Sequence, residues 1–339
     1  MRLFTLGVML AVYPALAGCV GLGAARLGVD RSDYTEQLRG SEKQQLLGNI
    51  VAVRFGDPPM FLSVASVISQ YTRETSGKLT LVGRPPGGDD PNVAEGNLLF
   101  RETPTVTYTP MNGDRFVHSM LTPLPPASLL AMTEAGWGVD DVFTLGLRSI
   151  RGLRNKSRGA LFGQAGDPGF AEVVSAMRRL QAAGALSTRV VVQDKRFRAE
   201  GRLRHDLTPA QQADIALLRD RLRLDGIAGG LQIVFASDEG GPGELAITTR
   251  SMLEVLQDLG EGVDVSGAGS FAADAPIRIH GGPAAPPHAH VAIRRAGRWY
   301  WIADDDAASK RTFLLVQVML SLNDDAAKPA APLITVPAG

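Results

Sequence analysis

Two motifs in the C-terminal third combine side chains that bind transition metals. His288 and His290 are separated by a single alanine, and residues 304–306 are three consecutive aspartates. If both motifs lie on paired strands, the two imidazoles share one strand face, with Asp304 and Asp306 beside them. Imidazole nitrogens and carboxylate oxygens together suit zinc, iron or manganese. The structural alternative is a proline-rich loop that ends in a histidine, followed by aspartates at a helix start, where the helix dipole favours negative charge.

Three arginines in the segment 147–158 form a second candidate site. Arg148, Arg151 and Arg154 are spaced three residues apart. We predict that this segment is helical, and the spacing then gathers the three guanidinium groups on one face. Such a face could bind phosphate, anionic lipid headgroups or an acidic partner. The alternative is a solvated helix end, where positive charge is favourable in any case.

The densest aromatic stretch of the chain lies at residues 298–306. In the strand predicted there, Trp299 and Trp301 share one face and Tyr300 lies on the other. One face then packs into the core, and the other could form an aromatic platform for sugars or peptidoglycan.

Sequence motifs for the common catalytic nucleophiles and phosphate-binding loops are missing. The chain contains no G-x-S-x-G, no H-E-x-x-H and no G-x-x-x-x-G-K-[ST]. A non-enzymatic role is therefore favoured over catalysis, without excluding an enzyme.

The N-terminal segment has the layout of an export signal. Arg2 precedes an apolar run of about 14 residues, shorter than the roughly 20 that a membrane-spanning helix needs. Ala17 and Gly18 then supply small residues before Cys19, the only cysteine. We therefore expect residues 1–18 to be a cleaved signal peptide.

The sequence Leu16-Ala17-Gly18-Cys19 resembles the lipobox of bacterial lipoproteins. This resemblance implies that Cys19 is acylated on its sulfur, becomes the first residue of the mature chain and is acylated again on its amino group. Two inserted chains make membrane anchoring stable, and we expect no cofactor other than this covalent lipid. Val20 stands where an aspartate would commonly mark inner-membrane retention, which favours the outer membrane.

Composition narrows the class of protein further. Of the 339 residues, 45% are hydrophobic, so the chain can bury an ordinary core. Basic and acidic residues both number 35, and this balance argues against nucleic acid as a partner. With Cys19 lipidated, no thiol is left for an internal disulfide.

Hydrophobic periodicity predicts an α+β fold with mainly antiparallel sheets in two α+β units. We place a lipid-anchored tether at 19–35, an N-terminal domain at 36–158, a glycine-rich linker at 159–169, a C-terminal domain at 170–323 and a disordered tail at 324–339. Helices are predicted from Ser41 to Gly56 and at 113–121, 126–135, 139–153, 170–183, 208–224, 251–259 and from Asp305 or Asp306 to 322. Strands are predicted at 60–82, 103–110, 188–192, 231–236, 244–247, 276–280, 290–294 and 299–303.

Five segments, 33–72, 104–116, 121–137, 249–256 and 299–313, together resemble a group of proteobacterial lipoproteins described only as hypothetical. The likeness extends over most of the mature chain. It implies a lipoprotein and assigns no activity, cofactor or site residue.

Our leading hypothesis is therefore an outer-membrane lipoprotein that binds other envelope proteins as an assembly or scaffold component. A second hypothesis is a lipid-tethered periplasmic hydrolase or metal-dependent enzyme centred on the histidine and aspartate motifs. The third is a glycan or small-molecule binder that uses the region from Trp299 to Trp301.

Overall fold

A computed structural model describes residues 22–78, 95–159, 163–193, 196–204, 206–224, 231–235, 244–272 and 274–324. The expected signal peptide, Cys19 and the tail beyond residue 324 lie outside the described residues. The chain divides into two compact units. The hairpin unit is Met60–Arg115, and the main unit combines the chain up to Pro59 with the chain from Phe116 onward.

The described residues hold eight α-helices and eleven strands. The helices are α1 (Leu22–Arg54), α2 (Gly113–Phe116), α3 (Pro126–Glu134), α4 (Val139–Gly146), α5 (Pro168–Ala182), α6 (Pro209–Arg221), α7 (Met252–Gly260) and α8 (Ala307–Asp324). The strands are β1 (Leu62–Lys78), β2 (Glu95–Pro110), β3 (Leu147–Ile150), β4 (Leu153–Arg154), β5 (Leu186–Gln193), β6 (Arg196–Leu203), β7 (Leu231–Phe235), β8 (Glu244–Thr249), β9 (His280–Gly282), β10 (Ala289–Arg295) and β11 (Arg298–Ala303). A π-helical turn, Val117–Leu121, follows α2.

These elements form three sheets, nearly all antiparallel. The hairpin unit contains the two-stranded pair β1–β2, and the main unit contains a three-stranded sheet in the order β10-β11-β9. The third sheet has six strands in the order β4-β3-β8-β7-β6-β5, and only its β7–β8 pairing is parallel. The predicted α+β class with mainly antiparallel sheets is confirmed.

Helix α1 begins earlier than the sequence predicts. The segment expected to be a tether is helical from Leu22. Ser41 and Gln44 have the pattern of a capping box, which led to the predicted start at Ser41, but both residues lie inside the helix. The apolar stripe was predicted correctly, because Leu47, Ile50 and Val51 have no exposed surface. This stripe packs the helix against α7, and Arg54 at its end forms a 2.8 Å ion pair with Glu261.

The helix predicted at 139–153 ends early, at Gly146. Strands β3 and β4 follow it and are joined by a two-residue turn in which Arg151 and Gly152 both have positive φ, 43° and 78°. Such a turn matches the twist of a hairpin. β3 also pairs with β8, so tertiary pairing has overridden the helical spacing of the apolar residues.

The compact units differ from the division expected at 159–169. Strand β3 precedes that glycine-rich segment and β8 follows it, yet the two are neighbours in one sheet. The segments on both sides of 159–169 therefore share a unit, and the hairpin unit is inserted between two parts of it.

Two of the predicted helix starts are observed N-caps. Thr208 caps α6 and Ser251 caps α7, each in a full capping box with the residue three positions on. The apolar residues of α7 that follow Ser251 are almost entirely buried. No helix in the described part of the chain has both the length and the apolar composition needed to cross a membrane.

Candidate functional site

The structure brings together part of the expected metal ligand set. His290 Nδ1 lies 3.9 Å from Asp304 Oδ1, and the ring of His290 meets Phe313 edge to face. Lys310 approaches the same carboxylate oxygen of Asp304 more closely, with its Nζ 3.0 Å from Oδ1. That ammonium group holds the pKa of the Asp304 carboxyl below its usual value. Asp304 is therefore neutralised by a lysine, and His288 lies on an exposed turn.

Asp306 has a different role. Its carboxylate caps α8 by accepting bonds from the Ser309 backbone N–H, at 3.1 Å, and from the Ser309 hydroxyl, at 2.7 Å. Arg278 donates two further bonds of 2.8 Å to the same carboxylate. Across the described residues, no group of three or more histidine, cysteine, aspartate or glutamate side chains converges as a metal site requires. The helix-start interpretation accounts for Asp306.

Burial lowers the pKa of His290, and the positive charges of Lys43 and Lys310 lower it further. The imidazole is consequently neutral near pH 7 and does not form a charged pair with Asp304. The two lysines come from different elements, since Lys43 belongs to α1 and Lys310 to α8.

Replacing Asp306 by alanine is expected to destabilise the protein by about 1–2 kcal/mol, through loss of the helix cap and of the Arg278 pair. Hydrogen bonds from Arg278, followed by those from Ser309, hold the pKa of the Asp306 carboxyl below its usual 3.8. The carboxylate therefore contributes fully above pH 4, and its contribution is lost as the pH falls toward the folded-state pKa. Urea unfolding at pH 7 and pH 3 measures this, and the variant should lose less stability on acidification than the parent. Equal acid sensitivity would contradict the assignment.

The three arginines do not share a face. Arg148 pairs with Glu254 of α7, which also belongs to the Ser251 capping box. Arg154 pairs with Asp167, just before α5. Arg151 donates to the backbone carbonyls of Glu244 and Arg223. The predicted helical face is wrong because two short strands replace the helix, and each arginine holds a different segment in place.

The aromatic strand has the two faces that alternation predicts. Tyr300 and Ile302 are 3% and 0% exposed and face the core. Trp299 and Trp301 lie half-buried on the opposite face of β11. His280 of β9 stacks on Trp301, with ring centroids 5.5 Å apart and an interplanar angle of 15°.

A buried ionic cluster was missed by sequence reasoning. The Arg250 and Asp258 side chains are 3% and 0% exposed, and Nη1 of Arg250 lies 3.3 Å from Oδ2 of Asp258. Arg158 donates to the same carboxylate from its backbone N–H, at 2.7 Å, and from its guanidinium, at 3.1 Å. Burial lowers the pKa of Arg250, but it stays cationic beside the carboxylate. The cluster fixes the chain around residue 158 onto α7, which is a structural task.

The hairpin unit presents a different kind of surface. Strands β1 and β2 pair from Leu62 opposite Pro110 to Lys78 opposite Glu95, with one register shift between Val64 and Ser66. Within the described residues, no third strand pairs with either of them. At its base several apolar side chains are exposed, including Met60 at 68% and Tyr108 at 54%.

No family model, curated protein or solved structure matches this chain. The geometry of the described residues leaves two surfaces able to bind something else. One is the edge of the β1–β2 hairpin, which offers backbone hydrogen-bonding groups. The other is the face of the three-stranded sheet that carries Trp299 and Trp301, which offers aromatic rings.

Proposed function

We propose that this protein is a lipid-anchored envelope component that acts by binding and assembly, with its lipid on Cys19 and its hairpin unit as the partner-binding element. The observation that carries the proposal is a two-stranded ribbon that forms a compact unit by itself. The partner is an extended strand of another envelope protein. The outer membrane is the proposed location, on the argument from Val20.

The unpaired edges of the β1–β2 hairpin give this proposal its physical basis. An isolated two-stranded hairpin is marginally stable, and it gains stability when a further strand pairs with it. Each unpaired edge presents a row of backbone N–H and C=O groups, which is the template used in strand addition. An extended polypeptide matches that row along its length. A folded helix or a small ligand does not.

The two edges of the ribbon are not equivalent. Strand β2 contains Pro104, which has no N–H to donate, and a proline is a common device for blocking an edge. Strand β1 contains no proline from Ser66 to Lys78. We therefore assign partner binding to this part of β1.

In-cell crosslinking of the full-length protein, followed by affinity purification and mass spectrometry, tests the proposal. Cys19→Ser is the mislocalised control, and a variant with residues 60–115 replaced by a short Gly-Ser linker lacks the hairpin. We expect envelope proteins crosslinked to the parent to be lost from both variants. A hairpin deletion that folds and keeps every crosslinked protein would contradict the assignment.

A pair of proline variants sharpens the test without deleting the hairpin. Of two consecutive residues in an antiparallel strand, one directs its N–H to the paired strand and the other to the outer edge. Gln70→Pro and Tyr71→Pro should therefore differ: one disrupts the hairpin, and the other keeps it but loses the partner. If the variant that keeps the hairpin also keeps its crosslinks, β1 is not the binding edge.

A further inference from the structure

The outer face of the three-stranded sheet is unlike the inner face. On β11 the inward residues Tyr300 and Ile302 are buried, whereas Trp299 and Trp301 keep part of their surface. Residues directly opposite each other on paired strands share a face. Arg294 of β10 lies opposite Trp299, and the face therefore combines two indoles with one guanidinium.

A glycine on β9 leaves room for the Trp301 ring. Gly282 of β9 lies opposite Trp299, and the ring of Trp301 reaches across the sheet to it. A Cβ at Gly282 would lie 3.1 Å from Cη2 of Trp301, so any side chain there would displace the indole. Because Gly282 has no side chain, the Trp301 ring occupies the space over β9 at the position opposite Trp299 in the register.

Two further aromatic rings hold Trp301 in place. His280 stacks on its ring, and Phe271 meets His280 edge to face with centroids 5.0 Å apart. These three rings fix the orientation of Trp301. A ligand that binds there therefore loses little free energy in ordering the side chain.

Arg294 supplies the charge. It is exposed, and within the described part of the chain no hydrogen bond or ion pair engages it. Arg295, the next residue, is occupied: it pairs with Asp57, and its Cζ lies 4.8 Å from the centre of the Phe55 ring. Among the described residues, Arg294 is thus an exposed cation beside an aromatic surface with no hydrogen-bond partner of its own side chain.

We propose that this face, comprising Trp299, Trp301, Gly282 and Arg294, binds a carboxylate-bearing sugar. The apolar face of a pyranose ring covers the indole of Trp299, and the sugar carboxylate accepts charge-assisted bonds from the Arg294 guanidinium. A neutral sugar can stack on the indole but has no carboxylate for Arg294. A simple anion can bind Arg294 but has no ring to stack on the indole. An acidic glycan is the chemistry that uses both. This site lies in the main unit and is independent of the hairpin assignment.

Fluorescence titration of the full-length protein in detergent tests the site. A Trp137→Phe background leaves Trp299 and Trp301 as the reporters. The probe is trigalacturonate, and maltotriose is its neutral counterpart with the same ring size and a related linkage. We expect trigalacturonate to bind at least about tenfold more tightly than maltotriose, with an advantage that shrinks as salt is raised.

Three variants separate the contributions. Arg294→Gln should abolish the preference for trigalacturonate, and Trp299→Ala should weaken both sugars about tenfold or more. Arg311→Gln removes another exposed arginine, on α8, and should leave both titrations unchanged. Equal affinity for the two sugars, an unaltered preference in Arg294→Gln, or no binding of trigalacturonate at millimolar concentration would overturn the proposal. None of these outcomes bears on the crosslinking test of the hairpin.

Discussion

Asp258→Ala is expected to destabilise the protein by about 3–5 kcal/mol, since it removes the carboxylate from a buried ion pair. The Arg250 guanidinium would stay buried at 3% exposure without its counter-ion. The carbonyls of Thr144, Leu145 and Lys156 accept hydrogen bonds from Arg250, but they do not neutralise its charge. Arg158 would lose both bonds that hold its segment to α7.

Chemical denaturation with circular dichroism measures this loss. Asp274→Asn is the matched control, since Asp274 pairs with Lys156 and Arg158 in the same cluster but is 50% exposed. An exposed pair contributes less than about 1 kcal/mol. The double variant Arg250→Met, Asp258→Leu should regain part of the stability, because it removes both charges of the buried pair and leaves Arg158 paired with Asp274. If Asp258→Ala costs no more than Asp274→Asn, the buried pair is not the source of the stability.

Gly262→Ala is expected to have the second large effect, costing about 3 kcal/mol or preventing soluble expression. A Cβ on Gly262 would lie 2.0 Å from the carbonyl oxygen of Ile277, a contact that only a backbone shift relieves. The shift would break the 2.9 Å bond from the Ile279 N–H to the Gly262 carbonyl. That bond joins the end of α7 to the segment that leads into β9.

The same substitution elsewhere should act in the opposite direction. Gly40 lies in α1, and a Cβ there meets nothing within 4 Å. Gly40→Ala should therefore raise stability by roughly 0.5–1 kcal/mol, because alanine loses less backbone entropy in a helix. Thermal unfolding of the two variants beside the parent gives the comparison. A Gly262→Ala protein that melts with the parent would refute the close approach of Ile277.

Local signals predicted the parts of the fold that local physics determines. Thr208 and Ser251 were located as helix starts because a cap and its reciprocal partner lie within four residues of sequence. The segment from Leu147 was misread as helix because its strand conformation depends on β8, about a hundred residues away. Strand β6 was missed because its alternating arginines give no clear apolar face. The early start of α1 has no capping signal in the sequence.

The candidate sites show the same contrast between features set by nearby residues and features set by distant ones. Alternation in β11 correctly separated Tyr300 from the two tryptophans, since strand geometry alone decides it. The Asp258 carboxylate beside the apolar residues of α7 could have signalled a buried charge, but nothing local names Arg250 and Arg158 as its partners. The position of Gly282 and Arg294 opposite Trp299 depends on the pairing of β9, β10 and β11, which the sequence does not reveal.

The packing of α1 against α7 has a consequence for how the chain acquires its fold during synthesis. The apolar stripe around Leu47 and Ile50 is covered by elements that emerge about two hundred residues later, as the Arg54–Glu261 pair illustrates. Until α7 has been synthesised, the apolar stripe of α1 is not covered by it. The long intervening loop must close before the contact between the two helices contributes any stability. The contact between α1 and α7 therefore forms only after about two hundred further residues have been synthesised, and the stripe of α1 is exposed to non-native contacts in that interval.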